Sequence, residues 1–239
     1  MSRAHPPPTL IIEDLGTMAY DEAFAYQQEC HGRVLARRGT DQEAMYLLLV
    51  EHDPPVITVS RRPGAGGHLL ATPQALAADG IDVCETNRGG DITYHGPGQL
   101  VVYPILDLNV LQLRLHGYMR WLEDRVLEVL TQWGLSARRD EAATGVWMED
   151  GPSGAGGKIC AIGLRVARWI SMHGLALNVT TELAHFNHIV PCGLAGRSVT
   201  SLSTELGDQC PPMEAVKAAV TESFQVAIRE VANAAKKQS

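Results

Sequence analysis

A chain of 239 residues is long enough to build one large core and short of the length at which cores divide, and a content of 45% hydrophobic and 20% charged residues is that of a folded globular domain. A net charge of -7 argues against a general nucleic-acid binder, and no uninterrupted apolar run approaches the roughly 20 residues that a membrane-spanning helix requires. Five cysteines at irregular spacing argue against a disulfide framework, and residues 1–8 carry no signal-like apolar stretch, so the expectation is a cytoplasmic protein with one domain over residues 1–239.

Residues 10–12 predict a short first strand, after which Tyr26, Cys30 and Val34 recur at helical spacing as far as Gly39. β-favouring runs at 45–50 and 56–59 flank the turn-forming Asp53-Pro54-Pro55, and 81–84 predicts a third strand behind Asp79-Gly80. Residues 87–99 hold Gly89, Gly90, Gly96 and Gly98 and read as a glycine-rich loop ahead of an apolar strand at 100–105. Leu115, Met119, Leu122, Val126, Val129, Leu130 and Trp133 keep a 3-and-4 spacing closed by Gly134, which predicts a helix with one face in a core. Strand-like runs at 145–148, 159–166 and 175–179 follow, and Pro211-Pro212 with Met213, Val216, Val220, Phe224 and Ile228 signals a last helix. Strand following strand favours an α/β fold of α+β type, a mixed sheet with helices segregated to one side, over alternating βαβ units.

Three segments carry candidate chemistry. The glycines of 87–99 let a ligand approach the backbone while Arg88, Tyr94 and His95 point inward, although a plain surface hairpin has the same composition. Lys158 follows Gly156-Gly157 at the mouth of an apolar strand; burial there would draw its pKa toward neutrality, whereas a lysine at a loop edge would stay exposed. Cys192 stands between Pro191 and Gly193, and a loop thiol becomes a nucleophile when a base elsewhere in the chain can take its proton. Cys30 and Cys84 fit packing positions, and Cys160 and Cys210 lack a reactive setting. His95, His173, His188 and Cys192 are zinc-ligand types without paired spacing, so neither a metal nor a cofactor is expected.

Taken in order, Arg88-Gly-Gly-Asp-Ile-Thr-Tyr-His-Gly-Pro-Gly-Gln99, Gly157-Lys158-Ile159, Ala161-Ile162-Gly163, His173-Gly-Leu-Ala-Leu-Asn-Val179 and residues 187–193 resemble the lipoyl(octanoyl) transferase family. The resemblance implies a biotin/lipoate protein ligase-like fold. It also implies transfer of an octanoyl group from octanoyl-acyl carrier protein to a lysine of a lipoyl domain, in the 2-oxoacid dehydrogenase complexes and the glycine cleavage H protein. By the matching motifs, Cys192 would carry the acyl thioester with Lys158 as its acid/base partner. Arg88, Gly89, Gly90, Asp91, Ile92, Thr93, Tyr94, His95, Ala161, Ile162, Gly163, Gly174, Leu175 and Ala176 would line the substrate site. Ser60 stands where members commonly have glycine. The rival readings are an ATP-dependent lipoate or biotin protein ligase, a thioesterase using His95 or His188 as base, and a non-catalytic acyl-binding protein on the same fold.

Overall fold

Residues Ala44–His52, Gln99–Ile105 and Ile170–Asn178 are buried almost without a break. An uninterrupted buried run belongs to a strand covered on both faces, in the middle of a sheet. The computed structural model describes residues 9–141, 143–149, 156–191 and 197–237, with side chains as far as Val231.

In chain order the elements are β1 (Thr9–Met18), α1 (Tyr20–Arg37), β2 (Ala44–His52), β3 (Val56–Ser60), α2 (Pro73–Ala78), β4 (Asp82–Thr86), β5 (Ile92–His95) and β6 (Gln99–Ile105). They continue with α3 (Leu115–Gln132), β7 (Ala137–Arg139), β8 (Val146–Met148), β9 (Lys158–Ala167), β10 (Ile170–Asn178), α4 (Leu202–Leu206) and α5 (Met213–Lys237). Short 3-10 turns occupy Ala65–His68 and Leu183–His188. A seven-stranded sheet runs β1-β2-β6-β10-β9-β8-β7, with only the β1–β2 pair parallel. A three-stranded sheet runs β4-β3-β5, parallel on one side of β3 and antiparallel on the other. The expected mixed sheet is therefore present.

The helices lie on both faces of the large sheet, which corrects the one-sided expectation. Met45, Leu47 and Leu49 of β2 pack with α3 and α5, whereas Tyr46, Leu48 and Val50 pack with α1, as the two-residue period of a strand requires. The buried face of α1 is Tyr20, Ala23, Gln27, Cys30 and Val34, small and partly polar, so its apolar periodicity gave little warning of a second layer.

Two boundaries also differ from expectation. Residues 92–95 form strand β5 rather than loop, pairing with β3 from Val56↔His95 to Val59↔Ile92. Strand β10 begins at Ile170 rather than at 175, and His173 keeps φ +57 within the ladder. A Cβ on Gly174 would stand 2.1 Å from the Val102 carbonyl oxygen, so only glycine lets β10 approach β6 there. No helix among the described residues is long and apolar enough to cross a membrane.

Candidate active site

Lys158 opens β9, and its backbone is claimed on one side by the segment that follows Cys192: Lys158 N donates to Ser198 O and Thr200 N donates to Lys158 O, both at 3.0 Å. The residue is 5% exposed, which removes the loop-edge alternative. Its Nζ donates to the Thr144 carbonyl at 3.1 Å and lies 4.7 Å from the centroid of the Trp147 ring. The carbonyl and the aromatic ring together restrain the Lys158 head group. The same ring carries the Arg197 guanidinium at 4.7 Å, and Arg197 donates to Asp140 at 2.7 Å. Trp147 is itself fixed by donation from Nε1 to Ala143 O at 3.2 Å.

Two cavities meet beside this lysine. The inner one is narrow, with a volume of about 50 Å³. Arg88, Gly90, Asp91, Ile92, Thr93, His95, Ala161, Ile162, Gly163, Gly174, Leu175 and Ala176 line it, together with Tyr20, Val101, Tyr103 and His173. The outer cleft, about 550 Å³, holds Lys158, Thr144, Arg62, His68 and Gly89. Gly90, Asp91, Ile162 and Gly163 belong to both walls and mark the passage between them. Gly163 is needed there for close approach: a Cβ would meet the Gly89 carbonyl oxygen at 3.0 Å and Arg88 Cδ at 3.1 Å.

The inner cavity is lined by neutral rather than charged histidines. Burial holds His173 down at about 3 and His95 well below its ordinary value, and burial likewise holds the neighbouring His52 at about 4. Arg88 adds a smaller push in the same direction to His95 and His173. The guanidinium of Arg88 is itself spent on the small sheet, donating to Thr58 O at 2.8 Å, to Thr58 Oγ1 and to Gly89 O.

The tautomer of His95 follows from the groups behind it. Thr200 O can only accept, so Asn178 donates to it through Nδ2 at 2.9 Å; Asn178 Oδ1 then accepts from Gln99 Nε2 at 2.9 Å, and Gln99 Oε1 faces His95 Nδ1 at 2.7 Å. Nδ1 is therefore the protonated nitrogen of His95, and Nε2 keeps its lone pair.

Tyr94 lines neither cavity. Its hydroxyl pairs with His185 Nδ1 at 2.8 Å and its ring packs on Phe186, so it ties the Leu183–His188 turn to the small sheet. His173 pairs through Nε2 with Asn87 at 2.9 Å and His188 with Asp79 at 2.7 Å, so His95, His173 and His188 serve separate partners. Ser60, in place of the common glycine, donates through Oγ to Gly90 O and accepts from Arg62 N, bracing the passage. Cys192 lies outside the described residues. Among the described thiols, burial pushes Cys160 up to about 12 and Cys30 and Cys84 up to about 11, which suits packing rather than reaction. Cys84 is a partial exception to its packing assignment, being half-buried on edge strand β4 with its Sγ on Asp21.

Sequence reasoning passed over Tyr20, Tyr103, His52, His68, Thr144 and Trp147. Tyr20 and Tyr103 sit in element patterns that signal core, and His68 ends a glycine-rich 3-10 turn with no periodicity to mark it.

Residues 19–225 match the family model described as the lipoyl protein ligase A/B catalytic domain. The chain is 41% identical over 223 residues to an octanoyltransferase of Flavobacterium psychrophilum, covering 90% of this chain and 95% of that one. In structure it is similar to lipoate-protein ligase A bound with ATP, at TM-score 0.66 and 15% identity over 94% of this chain and 86% of that one. It is also similar to the biotin protein ligase of Aquifex aeolicus in complex with biotin and ATP, at TM-score 0.52 and 12% identity over 94% and 72%. These ligase likenesses carry the fold, and the fold is the biotin/lipoate protein ligase-like one that the motifs implied. With a family model over most of its length and a relative of this identity across nearly both chains, the protein belongs to the lipoyl(octanoyl) transferase family of acyltransferases.

Proposed function

We propose that this chain moves an octanoyl group from octanoyl-acyl carrier protein to a lysine of a lipoyl domain by way of a thioester on Cys192, with Lys158 as the proton-transfer partner. The observation that carries the reading is the join between cavities: a narrow inner pocket walled largely by Ala, Gly, Ile, Leu and neutral histidine side chains opens, at Gly90, Asp91, Ile162 and Gly163, onto a cleft that contains Lys158. An acyl tail is desolvated in the first, and its carbonyl comes to the passage beside an amine in the second. The chain also approaches Cys192 from both sides under restraint. Val190 N donates to His68 O at 2.8 Å before it, and Ser198 O accepts from Lys158 N at 3.0 Å after it.

In the first half-reaction the Cys192 thiol gives its proton to the neutral amine form of Lys158 and the thiolate attacks the donor thioester; the pantetheine sulfur leaves and takes the proton back from Lys158. In the second, the neutral acceptor amine attacks the Cys192 thioester, Lys158 passes a proton from the adduct's nitrogen to the departing Cys192 sulfur as the C–S bond breaks, and the amide makes the transfer irreversible. The tetrahedral oxygen needs a fixed donor. Leu164 O accepts from Gly89 N on the side away from β10, and strand alternation sends the N–H of Ile162 to that same edge while Ala161 and Gly163 face the β10 ladder. Of the Ala161, Ile162 and Gly163 peptide groups, Ile162 N–H is thus the oxyanion donor we propose.

Intact-mass measurement after incubation with octanoyl-acyl carrier protein, without ATP, is expected to give an octanoyl adduct that maps to Cys192 and is lost in Cys192→Ser. Transfer that demands ATP and leaves Cys192 unmodified would favour the ligase reading. Free octanoate released faster than transfer would favour the thioesterase, and undiminished function in Cys192→Ser a binding protein.

A further inference from the structure

The acceptor lysine reaches the site as an ammonium at neutral pH, since its pKa is about 10.4, and an ammonium has no lone pair with which to attack. Two protons must leave its nitrogen before the amide is formed. In the scheme above Lys158 relays one of them, from the tetrahedral adduct to the departing Cys192 sulfur. The other has to be removed before attack.

The outer cleft contains a second group fit for that step. His68 Nδ1 lies 2.7 Å from Asp91 Oδ1, and a carboxylate can only accept, so Nδ1 carries a proton and, in the neutral imidazole, Nε2 holds the lone pair. Nε2 has no hydrogen-bond partner among the described residues, and the side chain of His68 is 35% exposed in the cleft that also holds Lys158. Asp91 is 5% exposed and forms part of the passage between the cavities, where a thioester carbonyl and an incoming amine would meet. The backbone carbonyl of His68 is held by Val190 N, two positions before Cys192, which ties the imidazole to the nucleophile's own segment.

We infer that His68 is the base that takes the first proton from the acceptor ammonium, with Asp91 as the positioning residue that fixes its tautomer; this rests on the acyl-enzyme reading. One N–H bond of the ammonium breaks, its pair becomes the attacking lone pair, and the proton passes to His68 Nε2 and then to solvent. The charged groups around the imidazole are Asp91, Arg62 at 3.8 Å from the second Asp91 oxygen, and Lys158 in the same cleft; His188 on the adjoining turn is engaged by Asp79.

The two half-reactions separate this role from the reading it rests on. In His68→Ala and in His68→Asn, adduct formation on Cys192 is expected within about twofold of wild type, while discharge onto a lipoyl domain at pH 7 falls about 100-fold. Added imidazole should restore part of the discharge in His68→Ala, and the deficit should shrink as pH rises toward the lysine pKa. Discharge onto hydroxylamine, which is already neutral at pH 7, should be unaffected, and Asp91→Asn should show the same selective loss for lysine over hydroxylamine. Equal slowing with both nucleophiles in both His68 variants, or no slowing with either, overturns the assignment. A wild-type enzyme that never acylates Cys192 overturns the acyl-enzyme reading instead, and this one with it.

Discussion

Thr200 joins Lys158 to His95: its N–H donates to the Lys158 carbonyl at 3.0 Å, and its own carbonyl ends the amide chain that runs through Asn178 and Gln99 to His95 Nδ1. The position of the lysine strand and the tautomer of a histidine in the inner cavity are thus set by one run of hydrogen bonds among buried groups. A buried network of this kind stabilises only while every member is satisfied.

Asn178→Ala removes the middle of that run and leaves Thr200 O and one Gln99 proton without their partners. Each unsatisfied buried group costs about 1–3 kcal/mol, so a loss of about 2–6 kcal/mol is expected, read as a lower denaturation midpoint with unchanged m value. A midpoint within error of wild type would mean that the network contributes nothing to stability.

Lys158→Arg keeps a cation against Thr144 O and the Trp147 ring but replaces an exchangeable ammonium with a guanidinium that stays protonated. Acylation of Cys192 is expected to fall about 10²–10⁴-fold with the thermal midpoint little changed. Near-normal acylation in this variant is incompatible with a proton-transfer role.

Gly174→Ala sets a methyl group 2.1 Å from the Val102 carbonyl oxygen, a backbone atom in the middle of the sheet. The strands must part to admit it, at a cost of about 1–3 kcal/mol or more, and the inner cavity they line should lose octanoyl affinity together with thermal stability. Calorimetry and acylation kinetics on the same sample test the coupling; a stable variant with altered acylation alone would contradict it.

Acid should destabilise the fold through its buried histidines. His52 is fully buried between Met18 O and the Tyr103 hydroxyl, and burial lowers its pKa from 6.5 to about 4. Because the folded value lies below the unfolded one, the unfolded chain binds the proton first. Stability is complete above about pH 6.5 and drains away as pH falls toward 4, by about 3 kcal/mol from this residue alone. Thermal midpoints between pH 7 and 4 should drop less steeply in His52→Gln than in wild type. Parallel slopes would remove His52 from the acid transition.

What the sequence determined by itself was local in origin. The stripe from Leu115 to Trp133 and the β-favouring runs of β2, β3 and β6 carry their periodicity within a few residues; the ordered motifs from Arg88 to Gly193 marked the family, and those at 88–95, 161–163 and 173–176 the segments that enclose the inner cavity. Tertiary structure decided the rest. Whether 92–95 is loop or strand depends on β3, and the start of β10 at Ile170, ahead of the apolar run at 175, depends on the strand β9 that pairs with it. The pairing of His68 with Asp91, 23 residues apart, and the placement of Lys158 against Trp147 depend likewise on which strands lie side by side. Periodicity reports which way a side chain faces relative to its own backbone; a hydrogen bond between distant residues exists only once strand order and register have brought its two ends together.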